Sequence, residues 1–143
     1  MIGIDTAIKS RWSATGMAAL VPHGPYLSRL PEEFVTFFPY CIYTNVSDVI
    51  VARTPETIYH DAQVQFQVYG LTDIEVGDAC EAIGQNFLSS DRARTSPLYN
   101  SVFGIVDVRI VSDYTITQES DQVYVGTMVL GIQYGKESGL TPR

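Results

Sequence analysis

The two histidines are the side chains best suited to acid–base or metal chemistry near neutral pH, and neither stands in a recognisable catalytic pattern. His23 lies between Pro22 and Gly24, with no Ser or Cys motif beside it. His60 precedes Asp61, but adjacent residues of a strand point to opposite faces of a sheet. We therefore do not expect His60 and Asp61 to pair, and an ordinary polar role is the commoner one for such histidines.

The other residues that carry chemistry form no known nucleophile, phosphate-loop or zinc-helix motif. Cys41 and Cys80 lie far apart in apolar stretches, where cysteine commonly serves as a small buried hydrophobe. Gly126, Gly131 and Gly135 lie in a β-rich run, where glycines relieve crowding or permit bulges. The sequence predicts no catalytic, cofactor-binding or metal site, and hence a protein that is not an enzyme.

The charge balance speaks against a protein that wraps nucleic acid. The 143-residue chain has a net charge of −7 and contains only Lys9 and Lys136 as lysines, whereas phosphate binding needs clustered Lys and Arg. An acidic surface suits ordinary solubility, and it also suits a channel through which DNA slides without sticking. The length fits one domain, and no apolar run is long enough to span a bilayer.

Two amphipathic helices are expected to position the rest of the chain. Residues 4–15 place Ile4, Ile8 and Trp12 on one face at helical spacing. The segment from Thr72 has the spacing of a capping box and predicts a second helix over about residues 73–88. Its apolar stripe consists of Val76, Ala79, Cys80, Ile83 and Phe87.

The strands give a sheet covered on one side. Residues 61–69 alternate polar and apolar side chains, which is typical of an antiparallel strand with one wet face. Further strands are predicted at residues 40–45, 49–51, 105–115 and 122–134, with loops at 21–31 and 89–103. The order predicts a single α+β domain over residues 1–134, followed by a flexible C-terminal tail over residues 135–143. We expect a mostly antiparallel sheet of four to five strands with two helices packed on one face.

The order and periodicity of these elements resemble the tail-terminator family of long-tailed phages, also called tail-completion or tail-to-head joining proteins. The resemblance spans about residues 1–134 and has no diagnostic motif. The features that carry it are the first helix with Ile4, Ile8 and Trp12, the Phe38-Pro39-Tyr40 start of the sheet, the strand 64–70, the capped helix after it, and the strands 106–113 and 124–134.

Membership of that family would imply a homo-oligomeric ring, usually a hexamer, at the head-proximal end of the tail of a virion assembled in the host cytoplasm. The ring stacks on the last ring of the tail-tube protein, stops tube polymerisation and presents a surface to the head connector or stopper protein. DNA passes non-specifically through its central opening, which is often acidic. The family has no catalytic residues and no cofactor, and no membrane partner is implied.

On this resemblance we place subunit contacts by position on two surfaces. The first is the polar face of the alternating strand, formed by Asp61, Gln63, Gln65 and Gln67. The second is the 89–103 loop, where Asp91, Arg92, Arg94 and Tyr99 are candidates. Segments 21–31 and 47–55 are expected to be docking loops toward the tube or the connector.

Two alternatives stay open. One is another head–tail joining protein, such as a head-completion or stopper protein; a tail-tube subunit fits less well because it generally needs two sheets. The other belongs to a different class, a small-molecule-binding α+β domain. That alternative requires a pocket lined by Phe37, Tyr40 and Tyr69 beside His60.

Overall fold

One mixed sheet organises the protein. The computed structural model describes residues 2–14, 17–27, 38–87 and 105–137. The helices are α1 (Ile2–Ala14), α2 (Met17–Leu20) and α3 (Asp73–Phe87), and the strands are β1 (His23–Leu27), β2 (Tyr40–Arg53), β3 (Thr57–Gly70), β4 (Ile105–Ser120) and β5 (Val123–Glu137). The five strands lie in the order β1-β2-β3-β5-β4. Every neighbouring pair is antiparallel except β1 and β2, so the predicted α+β fold with a mostly antiparallel sheet is confirmed.

The core lies between the sheet and its helices, and β3 shows why. Residues 61–70 of β3 alternate between half-buried and buried, as the sequence periodicity predicted. Val64 and Phe66 are fully buried and lie opposite Leu130 and Met128 of β5, which are also buried. Because successive residues point to opposite faces, the same strand presents its polar residues on the other side.

Helix α3 begins at the predicted capping box. The Thr72 hydroxyl accepts a hydrogen bond from the Glu75 amide (3.1 Å), and the Glu75 carboxylate accepts one from the Leu71 amide (3.0 Å). These bonds satisfy backbone donors that a helix start leaves without partners. The helix ends at Phe87, one residue before the predicted end, and the five residues of the predicted apolar stripe are buried.

Helix α3 lies directly on β5 because Gly126 leaves room for it. A Cβ atom at Gly126 would stand 2.6 Å from both Cys80 Sγ and Val76 Cγ1 of the helix. No side chain tolerates such a distance without movement. The prediction that the glycines of this strand relieve crowding is therefore confirmed at Gly126.

Helix α1 packs beside α3 on the same face of the sheet. Ile8 and Trp12 are buried, and the Trp12 and Phe87 rings lie 6.1 Å apart. Arg11 Nε donates a hydrogen bond to the carbonyl of Asn86 (2.9 Å), which ties α1 to the end of α3. The first predicted helix is thus confirmed, and the short α2 follows it.

Two segments predicted as loops are strands in the structure. Within 21–31, residues His23–Leu27 form β1, which pairs in parallel with the start of β2. Within 47–55, the chain continues as β2 to Arg53, so the separate strand predicted at 49–51 is part of one long strand. Two register shifts, between Asn45 and Ser47 and between Ile50 and Ala52, let polar residues interrupt the alternation without ending the pairing.

Strand β5 extends through Glu137, three residues past the predicted domain end at 134. The 89–103 loop, and the part of the predicted tail from 138 to 143, lie outside the described residues. Among the described helices, none has the length and apolarity needed to cross a membrane.

Candidate assembly surfaces

Four of the predicted contact residues meet on one face of β3. Asp61, Gln63, Gln65 and Gln67 are all half-buried and point away from the core. Neighbouring strands add to this face: Gln65 lies opposite Thr44 of β2, while Asp61 and Gln67 lie opposite Gln133 and Thr127 of β5. No helix of the described ranges packs on this side, where amide and hydroxyl groups lie among apolar side chains such as Ile42 and Val129, opposite Gln67 and Gln65. We call it the polar face.

The one carboxylate among these four residues is paired. Arg109 Nη2 of β4 donates to Asp61 Oδ2 at 2.7 Å, reaching across β5. Its path runs over Gly131, where a Cβ atom would stand 2.7 Å from Arg109 Cζ. The glycine therefore permits the ion pair, which neutralises Asp61. Sequence analysis missed Arg109, because 48 residues separate the two partners and no local pattern links them.

The other four candidates, Asp91, Arg92, Arg94 and Tyr99, lie outside the described residues. Their assignment to a subunit contact stays a prediction.

The groups that a ligand pocket would need do not converge. Tyr40 and Tyr69 stack with their ring centroids 4.7 Å apart at the start of β2 and the end of β3. Burial, with the nearby phenol of Tyr69 and the carboxylate of Glu119, raises the pKa of Tyr40 to about 12. His60 stands nine residues before Tyr69 on β3, about 30 Å away and on the opposite face. Phe37 lies outside the described residues.

His60 belongs instead to a cluster at the other end of the sheet. Its Nδ1 lies 2.9 Å from Asp48 Oδ1, and its ring stacks on Tyr134 with centroids 4.8 Å apart. The Tyr134 hydroxyl donates to the second Asp48 oxygen, Oδ2. Burial and the Asp48 carboxylate raise the pKa of Tyr134 well above its ordinary value.

This cluster links β2, β3 and β5, with one partner on each Asp48 oxygen. As predicted, His60 does not pair with Asp61; the two side chains lie on opposite faces, each with a different partner. The described residues contain no group of three or more potential metal ligands. Sequence analysis missed the cluster because Asp48 and Tyr134 are 86 residues apart.

Neither a protein-family model nor a curated protein sequence matches this chain. Among solved structures, the protein is similar to a chain from a virion of a native gene transfer agent (GTA) particle, with a TM-score of 0.63. Sequence identity is 13%, and the match covers 92% of this chain and 93% of the other. The two chains therefore share a fold over nearly their entire lengths.

Proposed function

We propose that this protein is a structural virion protein that forms a hexameric ring at the head-proximal end of a phage tail. There it ends polymerisation of the tail tube and joins the tail to the head connector or stopper protein. The observation that carries the proposal is the fold shared from end to end with a chain of a GTA virion. The order of elements that resembles tail terminators supports it independently.

The surfaces of the described chain fit a role in assembly. The polar face offers hydrogen-bonding groups spread over three strands, which suits a protein partner more than a small ligand. The Asp48, His60 and Tyr134 side chains are engaged with one another. We assign the protein a structural role and no catalytic one. Each chain has a net charge of −7, so a ring of copies would repel DNA and let it pass without binding it.

Tube length gives a direct test. The tail-tube subunit of the same particle is polymerised with and without this protein, and tube lengths are measured by negative-stain electron microscopy. We expect added protein to cap one end and shorten the tubes. The proposal fails if tube lengths and ends are unchanged. Binding to the head connector without any effect on tubes would identify a head-completion or stopper protein instead.

A pair of variants tests the polar face. Gln65→Arg combined with Gln67→Arg places two cations on that face and should abolish capping while the fold is retained. Gln85→Arg, on the exposed side of α3, is the matched control and should cap normally. Equal capping by both proteins would remove the polar face from the contact surface.

A further inference from the structure

Two strand edges have no neighbouring strand in the described ranges. On β2, strand β1 pairs only with Tyr40 to Tyr43, so the outer edge from Thr44 to Arg53 is uncovered. On the far side of the sheet, β4 pairs with β5 along its inner edge. Its outer edge from Ile110 to Ser120 pairs with no described strand. Such edges present rows of backbone donors and acceptors that can pair with another chain.

Both edges carry exposed aliphatic side chains. On β2, Val49, Ile50 and Val51 are 54%, 47% and 53% exposed. On β4, Ile110 and Val111 are 41% and 43% exposed. Soluble proteins usually blunt a free edge with charges, so β-branched residues clustered on two free edges indicate that these edges are covered in the assembled state.

The strand directions fit a head-to-tail contact between two copies. Strands β2 and β5 run in one direction, and strands β3 and β4 run in the opposite direction. Strand β4 is therefore antiparallel to β2 within one sheet. When a second copy is placed beside the first in the same orientation, its β2 meets β4 as an antiparallel pair, whose hydrogen bonds are well aligned. We infer that β4 of one copy pairs with the distal half of β2 of the next, so that one sheet continues around the ring. This inference rests on the proposed ring.

Strand β1 disfavours an unstaggered contact. Ile110 lies level with Leu130, Val64 and Asn45 across the sheet. With no stagger, the residues of β4 after Ile110 would meet the part of β2 with which β1 already pairs. Sliding the second copy along the strands brings Ile110 and Val111 opposite Val51 and Ile50. It moves residues 111–117 of β4 clear of the stretch that β1 occupies, and only Gln118–Ser120 then still reach the level of Tyr43 and Ile42.

The size of this slide agrees with closure. Asn45 pairs with Val64 and Ile50 pairs with His60, so the slide corresponds to about four residues of β3, or about 14 Å. The four strand spacings from one β2 to the next span about 19 Å. The resulting strand tilt is roughly 35–40°, which is the tilt at which sheets close into barrels. A head-to-tail contact can close into a ring, whereas a contact between two β2 edges would stop at a dimer.

Cysteine cross-linking tests the pairing. Val51→Cys protein is mixed with Ile110→Cys protein, assembled with the tail-tube subunit, and treated with a short bismaleimide. The native Cys41 and Cys80 are buried, and burial raises the pKa of both thiols, so they compete poorly. We expect cross-linked dimers from the mixture, and a ladder up to the full ring from the double variant. Val51→Cys mixed with Ile74→Cys is the control, because Ile74 is 71% exposed on α3, away from both edges.

The outcomes separate this inference from the proposed function. A ring seen by electron microscopy with no Val51–Ile110 cross-link overturns the edge pairing and leaves the tail-terminator proposal standing. Cross-links formed by Val51→Cys protein with itself identify a twofold β2 contact and also overturn it. If no ring forms with the tube subunit, the proposed function fails and the edge pairing fails with it.

Discussion

At the scale of single residues, Asp48 holds the far end of the sheet together. Asp48→Asn removes the charge from two hydrogen bonds, to His60 and to Tyr134. Bonds to charged groups contribute more than neutral ones, so we expect the free energy of unfolding to fall by about 1–2 kcal/mol. Urea denaturation monitored by circular dichroism measures the change.

The matched control for this substitution is Asp121→Asn, in the exposed turn between β4 and β5. Its effect should stay within about 0.5 kcal/mol, as is usual for exposed positions. Equal urea midpoints for the Asp48 and Asp121 variants would show that the cluster contributes nothing to stability.

Side-chain contacts between distant strands are the feature of this protein that is hardest to predict from its sequence. The polar face followed from alternation along one strand, because alternation is a local property. Contacts between distant strands could not be predicted in this way. Arg109 of β4 contacts Asp61, and Tyr134 of β5 contacts Asp48. Such contacts depend on strand order, which periodicity does not encode.

At the scale of elements, the contact between α3 and β5 depends on one missing side chain. Gly126→Ala would push a methyl group against Val76 and Cys80, and we expect a destabilisation of about 1–3 kcal/mol from overpacking. Gly77→Ala is the matched control, since its Cβ would meet Ile116 Cδ1 at an ordinary 3.5 Å.

Alanine is also a better helix former than glycine, by up to about 1 kcal/mol. Gly77→Ala should therefore be neutral or stabilising in thermal unfolding, while Gly126→Ala lowers the melting temperature. The close approach of α3 to β5 is refuted if Gly126→Ala melts at or above the wild-type temperature.

Elements with strong local signals were predicted well. Helix α3 has both a capping box and an apolar stripe, and it was placed within one residue at its end. Strand β1 was missed because Pro22, Gly24 and Pro25 locally favour a loop, whereas pairing with β2 stabilises the strand. The continuity of β2 was missed because Ser47 and Asp48 interrupt its pattern, and the register shifts that absorb them cannot be read from the sequence.

At the scale of the whole molecule, we expect the free energy of unfolding to fall at alkaline pH because several tyrosines have raised pKa values. Burial raises the pKa of Tyr40 to about 12 and raises those of Tyr43 and Tyr134 as well. An unfolded tyrosine ionises near pH 10. Below that pH the stabilisation is fully present; above it, the unfolded state loses protons that the folded state keeps, so stability falls as pH rises.

Urea midpoints between pH 8 and pH 11 check this prediction. The chain contains only two lysines, so the titration in this range comes mainly from the tyrosines and from Cys41 and Cys80, whose thiol pKa values burial also raises. The midpoint should begin to fall from about pH 8.5, where unfolded thiols ionise, and fall more steeply above about pH 10; Tyr134→Phe should make the second part of the fall shallower. A midpoint that stays constant up to pH 11 would contradict it.

The described residues combine a fold shared with a GTA virion chain, a polar face and two strand edges that no described strand covers. On the proposed function, the subunit reaches its final state beside copies of itself. Association is then the property on which the account depends.

The most direct measurement is the solution mass of the purified protein by multi-angle light scattering, across a concentration series and with added tail-tube subunit. The account predicts a closed ring of about six copies, formed either by the protein alone or on addition of the tube subunit. A protein that stays monomeric at every concentration and ignores the tube subunit would contradict it.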